Sequence, residues 1–189
     1  MQSNVRADEM ASVISGGFKF NGKRIVDFGC GYGDMMNHAL SGGAWYVLGV
    51  DKDQGVINAA SRKCKKHPGK HHSFYRGDFE NEGVFENALD ICRGTALDKK
   101  LDVAFCFSVL PYLEDPTWFV NRLRENFNNV FMEAQYIGDG PGNFARDDGD
   151  MSKWLRDRGF DIAMLLGRTH VEGRNTYRSI WRCYEWENV

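Results

Sequence analysis

Apolar residues in this chain fall into two alternating patterns: short unbroken runs, and stretches in which they return every three or four positions. "RIVDF" (24–28), "WYVLGVD" (45–51), "HSFYRGD" (72–78), "LDVAFCFSVL" (101–110), "NVFMEAQ" (129–135), "FDIAMLLG" (160–167) and "YRSIWRCYEW" (177–186) have strand length and β-branched or aromatic content. Between them, residues 34–41, 54–64, 84–92, 116–127 and 151–158 keep helical spacing, and the first 14 residues read as a short amphipathic helix. Pro116 stands at a helical N-terminus and Gly42-Gly43 is a stop signal. Strand and helix in turn predict a parallel sheet with helices on both faces. The last two strands are separated only by a turn near "EGRN" (172–175), too short for a crossover helix, so they are expected to close the sheet as an antiparallel hairpin. The long "GDGPGNFARDDGD" segment (138–150) reads as a loop. Nothing resembles a linker or a repeat, so residues 1–189 are expected to form one domain.

The stretch "RIVDFGCGYGDMM" interrupts this regularity, with Gly29, Gly31 and Gly33 between the first strand and the first helix. Glycine permits positive φ and close approach of a ligand to the backbone, although a tight turn uses it too. Ligands of such sheets bind at the carboxyl ends of the strands. The spacing is GxGxG, with Asp34 in place of the last glycine of the dinucleotide fingerprint, and Asp27 lies just before the loop. A carboxylate there repels pyrophosphate and suits a cationic ligand. S-adenosylmethionine, with its ammonium and sulfonium, fits this charge better than NAD does.

Three further stretches extend the candidate site. "GVDKD" puts Asp51, followed by Lys52, at the end of the second strand, where a carboxylate can accept from both ribose hydroxyls. The plainer reading of Asp51 is a helix N-cap, for which Asp53 is the better candidate. "GDFE" offers Asp78 for an adenine amino group and Phe79 for its face; it could also be an ordinary turn. After the fourth strand, Ser108 and Val109 are expected near the cofactor, with Pro111, Tyr112 and Leu113 opening an acceptor pocket; Phe105 and Phe107 read as core.

Composition narrows the partners. A net charge of −2 weighs against nucleic acid. No apolar stretch reaches the roughly 18 residues of a bilayer span, and the start lacks a signal-peptide core. Five scattered cysteines without CxxC spacing read as reduced thiols, which points to the cytoplasm. The basic "KCKKHPGKHH" (63–72) could hold phosphate or RNA but reads first as a solvated connection. Its adjacent histidines face opposite sides of an extended chain, so no metal is expected.

Taken together, "VDFGCGYGD", "GVDKD", "GDFE" and "FSVLPYLEDP" resemble, in order and spacing over about residues 24–135, the class I S-adenosylmethionine-dependent methyltransferases that modify small molecules. The resemblance implies a Rossmann-like doubly wound sheet of order 3-2-1-4-5-7-6 and S-adenosylmethionine as cofactor, bound by Asp27, Gly29, Cys30, Gly31, Gly33, Asp51, Lys52, Asp78, Phe79, Ser108 and Val109. It further implies methyl transfer to an oxygen or nitrogen of a small-molecule acceptor. Histidines common in the family's fourth stretch are replaced here by Pro111 and Tyr112, so no role passes from them. If the acceptor must lose a proton, Glu133 and Tyr136 at the fifth strand's end and His170 beyond the sixth are candidates. Each also has a plainer reading, as a backbone acceptor, a packing residue and a solvated residue respectively. An RNA or protein methyltransferase, or a catalytically silent cofactor-binding module, are the alternatives. The sequence leaves the oligomeric state open.

Overall fold

The computed structural model describes residues 5–67, 69, 71–94, 100–134, 145–170 and 177–186. In chain order the elements are α1 (Val5–Ser15), β1 (Arg24–Phe28), α2 (Asp34–Ser41), β2 (Tyr46–Asp51), α3 (Gln54–Cys64), β3 (His71–Arg76) and α4 (Glu82–Arg93). They continue with β4 (Leu101–Cys106), a 3₁₀ turn (Leu110–Tyr112), α5 (Pro116–Asn126), β5 (Phe127–Ala134), α6 (Asp148–Arg156), β6 (Ile162–His170) and β7 (Tyr177–Tyr184). The strands form one seven-stranded sheet of order β3-β2-β1-β4-β5-β7-β6. That is the expected order, and β6 and β7 pair antiparallel as the short connection required.

By internal packing the chain divides into Lys19–Phe105 and a second unit made of Met1–Phe18 with Cys106–Val189. In the first, β1 and β2 run parallel with Asp27 opposite Gly49, and β2 and β3 run parallel with Asp51 opposite Arg76. All three strands therefore end on the same edge. Side-chain caps fix where the helices start: Asp53 accepts from the Gly55 and Val56 amides at α3, and Asn81 from the Val84 amide at α4. The core is aromatic and aliphatic. Phe28 stacks on Phe85 at 5.2 Å, and Ile25, Met36, Leu40, Leu48 and Leu89 are fully buried.

In the second unit β5 and β6 both pair antiparallel with β7, which makes them parallel to each other. Phe18 meets Phe131 edge-on at 5.0 Å, and Ile14 of α1 and Phe119, Val120 and Leu123 of α5 are fully buried. Helix α1 packs on β6, where Gly167 leaves room for Val13: an added Cβ would lie 3.1 Å from its side chain.

Several boundaries differ from expectation. β4 ends at Cys106, not residue 110, because Ser108 takes a left-handed φ of 58° and Pro111 enters the 3₁₀ turn. An apolar run continuous through that point hides the break. Helix α6 starts at Asp148, inside the segment read as loop, because Asp147 caps it by accepting from the Asp150 amide. The remainder of that loop up to residue 144, and the turn at 172–175, lie outside the described residues.

Two glycines with similar φ allow a test of what packing adds to backbone strain. A Cβ at Gly33 (φ +73°) would sit 2.8 Å from the Ala60 Cβ, whereas one at Gly22 (φ +72°) would meet nothing within 4 Å. Left-handed strain alone costs roughly 1–2 kcal/mol, and overpacking adds about 1–3 kcal/mol. In urea unfolding, Gly33→Ala is expected to lose about 2–5 kcal/mol and Gly22→Ala only the strain; equal losses would refute the packing role of Gly33.

Candidate functional site

The first strand delivers its chain into a loop with three left-handed glycines, Gly29 at φ +71°, Gly31 at +49° and Gly33 at +73°. The Gly29 and Cys30 amides both donate to the Val50 carbonyl, at 2.9 and 3.1 Å, so the loop is tied to β2. The Gly33 amide then turns back to the Cys30 carbonyl at 2.8 Å. The glycines have different reasons for lacking a side chain. Gly33 has Ala60 against it, while a Cβ on Gly31 would meet nothing within 4 Å. At Gly31 the main chain borders open space, as a surface for a ligand requires.

Carboxylates surround this opening. Asp51 accepts from the Gly31 amide through Oδ2 (3.0 Å) and from the Asp53 amide through Oδ1 (2.9 Å). Each oxygen retains a second acceptor direction. The N-cap role that competed for Asp51 belongs to Asp53. Asp27 is only 4% exposed, and burial, followed by the charges of Asp51 and Asp34, pushes its pKa up to about 8. Asp34 is joined to Lys63. Burial and then the Asp27 charge push the Cys30 thiol far above its ordinary value, so it is a neutral group beside the loop.

The third stretch is held to the second. The Gly77 amide donates to the Asp51 carbonyl at 3.0 Å, which brings the Asp78 segment alongside. Lys52 Nζ lies 3.9 Å from Asp78 Oδ2, both largely in solvent. Phe79 is 9% exposed and packs edge-on against Phe28 at 5.6 Å, so most of its ring belongs to the core.

Ser108 and Val109 lie in the other unit, where Val109 is buried. Ser108 joins a network centred on Glu133, which is 0% exposed. The Ser108 hydroxyl donates to Glu133 Oε2 at 2.8 Å and accepts from Arg6 Nη2 at 2.8 Å. Arg6 Nη2 also donates to both Glu133 oxygens, Arg178 Nη1 to Oε2 at 3.2 Å, and Thr169 Oγ1 to Oε1 at 3.4 Å. A carboxylate engaged this way holds arginines; taking an acceptor's proton would mean displacing one of them. Nothing local in the sequence flags Arg6, Thr169 or Arg178, which stand 127, 36 and 45 positions from Glu133. His170 is exposed, its amide donating to Glu9 and its ring edge-on to Tyr177 at 5.3 Å. Tyr136 lies outside the described residues. Among the described residues no His, Cys, Asp or Glu group is arranged to hold a metal ion, and no helix is long and apolar enough to cross a membrane.

A family model described as a methyltransferase domain matches residues 26–129. The chain is 26% identical over 125 residues to a mitochondrial ubiquinone biosynthesis O-methyltransferase of Schizosaccharomyces pombe, covering 66% of this chain and 41% of that one. It is 32% identical over 83 residues to a ribosomal protein L11 methyltransferase of Photorhabdus laumondii, covering 43% of this chain and 23% of the relative. The chain thus spans less than half the length of either curated relative. Among solved structures, magnesium protoporphyrin IX methyltransferase from Synechocystis PCC 6803 with bound SAM superimposes with a TM-score of 0.70 at 21% identity, covering 95% of this chain and 77% of that one. A putative RNA methyltransferase from Pyrococcus horikoshii gives 0.64 at 15% identity, covering 95% and 82%. Likeness at such identities is likeness of fold.

Asp27 generates a pH prediction. Unfolded, its carboxyl titrates near 3.8; folded, near 8. Between those values the folded state holds a proton that the unfolded state has released, so Asp27's contribution to stability falls as pH rises through that window and levels off above it. Asp27→Asn removes this slope. The melting temperature of the variant relative to the wild type is expected to climb between pH 5 and 8 and then flatten; a constant offset would place Asp27 in a far more polar setting.

Proposed function

The chain belongs to the methyltransferase-domain family, and on that footing we propose that it moves a methyl group from S-adenosylmethionine to an oxygen or nitrogen of a small-molecule acceptor. The observation that carries the reading is the bare main chain at Gly31 with Asp27 and Asp51 around it. A dinucleotide would bring a pyrophosphate to these carboxylates; a sulfonium compound brings positive charge, which favours the ionised form of Asp27.

In this reading Gly29, Cys30, Gly31 and Gly33 present backbone to the amino-acid end of the cofactor, and Asp27 supplies the compensating charge. Asp51 uses its two remaining acceptor directions on the ribose hydroxyls. Lys52, Asp78 and the edge of Phe79 border the adenine. Bound cofactor supplies a methyl carbon already activated by its sulfonium. What the protein must add is alignment, and holding two reactants in place can supply about 7–11 kcal/mol of the barrier. A base is needed only for an acceptor that loses a proton in the reaction. A cytoplasmic setting is part of the proposal: all five cysteines are buried and none is in a disulfide.

Calorimetry with S-adenosylmethionine and NAD tests the cofactor, and binding of NAD alone would overturn the proposal. Asp51→Ala should weaken S-adenosylmethionine binding about tenfold or more, since a hydrogen bond to a charged group contributes about 1.5–3 kcal/mol; unchanged affinity removes Asp51 from the site. For the acceptor, incubation of a size-fractionated cell extract with methyl-labelled cofactor should put label in the low-mass fraction. Label confined to protein or RNA would replace the small-molecule reading.

A further inference from the structure

The cofactor reading makes no use of the basic stretch at 63–72. As a nucleic-acid site that stretch lacks, along the chain, an exposed aromatic on which a base can stack. The fold supplies one from just before β2. Trp45 is 49% exposed, and its ring lies 5.9 Å from that of His71, the first residue of β3. The guanidinium of Arg24, the first residue of β1, rests on the same indole with Cζ 4.7 Å from the ring centroid.

Rigid elements hold these groups together. Arg24, Tyr46 and His71 form one register row across β1, β2 and β3. The strands are parallel, so the row lies at their amino ends, a strand length from Gly31 and Asp51. The Trp45 and Tyr46 amides both donate to the Lys23 carbonyl, at 2.9 and 3.3 Å, which ties Trp45 to the start of β1. Helix α3 returns to the same end of the strands and finishes at Lys65, its exposed C-cap.

The charge at this end suits a polyanion. Asp102 pairs with Lys23 at 3.3 Å and accepts from the Arg24 backbone amide at 2.8 Å. The Arg24 side chain donates through Nη1 to the Arg93 carbonyl at 2.8 Å. Among the described residues neither Arg24 nor Lys65 has a carboxylate at ion-pair distance from its side chain. The overall charge of −2 does not oppose binding, because a phosphate responds to cations within a Debye length, about 8 Å at physiological salt.

We propose that Trp45, His71, Arg24 and Lys65 form a surface for single-stranded nucleic acid, with a base stacked on the exposed part of Trp45 and phosphates on the cations. A base inside a duplex offers no face to an indole, so the strand must be unpaired. The inference goes beyond methyl transfer and does not rest on it. The surface lies at the opposite end of β1, β2 and β3 from the glycine loop, and binding there anchors the chain without making the nucleic acid the acceptor.

Fluorescence anisotropy of the full chain with labelled oligouridylate of about 12 nucleotides, its DNA counterpart and a duplex of equal length tests the surface. At least one single strand should bind more tightly than the duplex, with a salt slope of about −1.4 to −2.1 for roughly two or three phosphates. Trp45→Leu keeps apolar bulk without an aromatic face and should weaken binding about five- to hundredfold; Trp45→Phe should retain most of it. Lys65→Gln, an exposed change, should reduce the slope by about 0.7. Circular dichroism checks that each variant is folded. Equal or tighter binding of the duplex overturns the proposal, as does binding undiminished in folded Trp45→Leu or a slope unchanged in Lys65→Gln. Displacement of the oligomer by an equal concentration of uridine monophosphate would make this a mononucleotide site and overturn it too, and so would failure of every strand to bind at low salt. Absence of S-adenosylmethionine binding would instead sink the methyl-transfer reading and leave this result standing.

Discussion

The structure turns on a backbone requirement, a left-handed turn three times over between Gly29 and Gly33 immediately after β1. No sequence of ordinary residues adopts it without strain. The requirement has two origins within five residues. At Gly33 it is packing, because Ala60 of α3 occupies the space of a side chain; at Gly31 it is vacancy, because nothing does. The first origin lets α2 start where it does. The second leaves main chain bare beside Asp51, whose carboxylate ties the Gly31 amide to the end of β2.

That geometry sets up an electrostatic tension. Asp27 is almost fully buried and faces the fields of Asp51 and Asp34, so its charged form is disfavoured in the protein alone. A group in that state weakens the fold as it ionises and responds most strongly to an arriving positive charge. Stability and ligand preference are thus opposite readings of the same buried carboxyl, a pattern common where pKa values are perturbed for function. The proposed cofactor is the one whose charge relieves the tension.

In the second unit the buried carboxylate is Glu133, which accepts from Arg6, Arg178, Ser108 and Thr169. A carboxylate at the end of a fifth strand invites assignment as a base when read from sequence. In the structure it lies between two guanidinium groups and the Ser108 hydroxyl, which ties α1 and β7 to the end of β5. The helix carrying Arg6 packs on β6 and contributes a charge to the same network, so α1 belongs to the unit's chemistry as well as its core.

The order of elements, the antiparallel closure and the glycine loop with its acids were legible along the chain because each is written in a local period or spacing: alternation of strand and helix, a connection too short to cross over, GxGxG after an apolar run. Asp53 rather than Asp51 as a helix cap was legible for the same reason. The break of β4 at Cys106 was not, since the run stays apolar through Ser108 while the backbone turns. Nor could sequence separate Gly31 from Gly33, sink Phe79 against Phe28, or bring Arg6 to Glu133 across 127 positions. Those outcomes depend on which side chains meet once distant segments pack. Local periodicity carries the pattern of burial, but only the assembled fold sets the partner of each buried group.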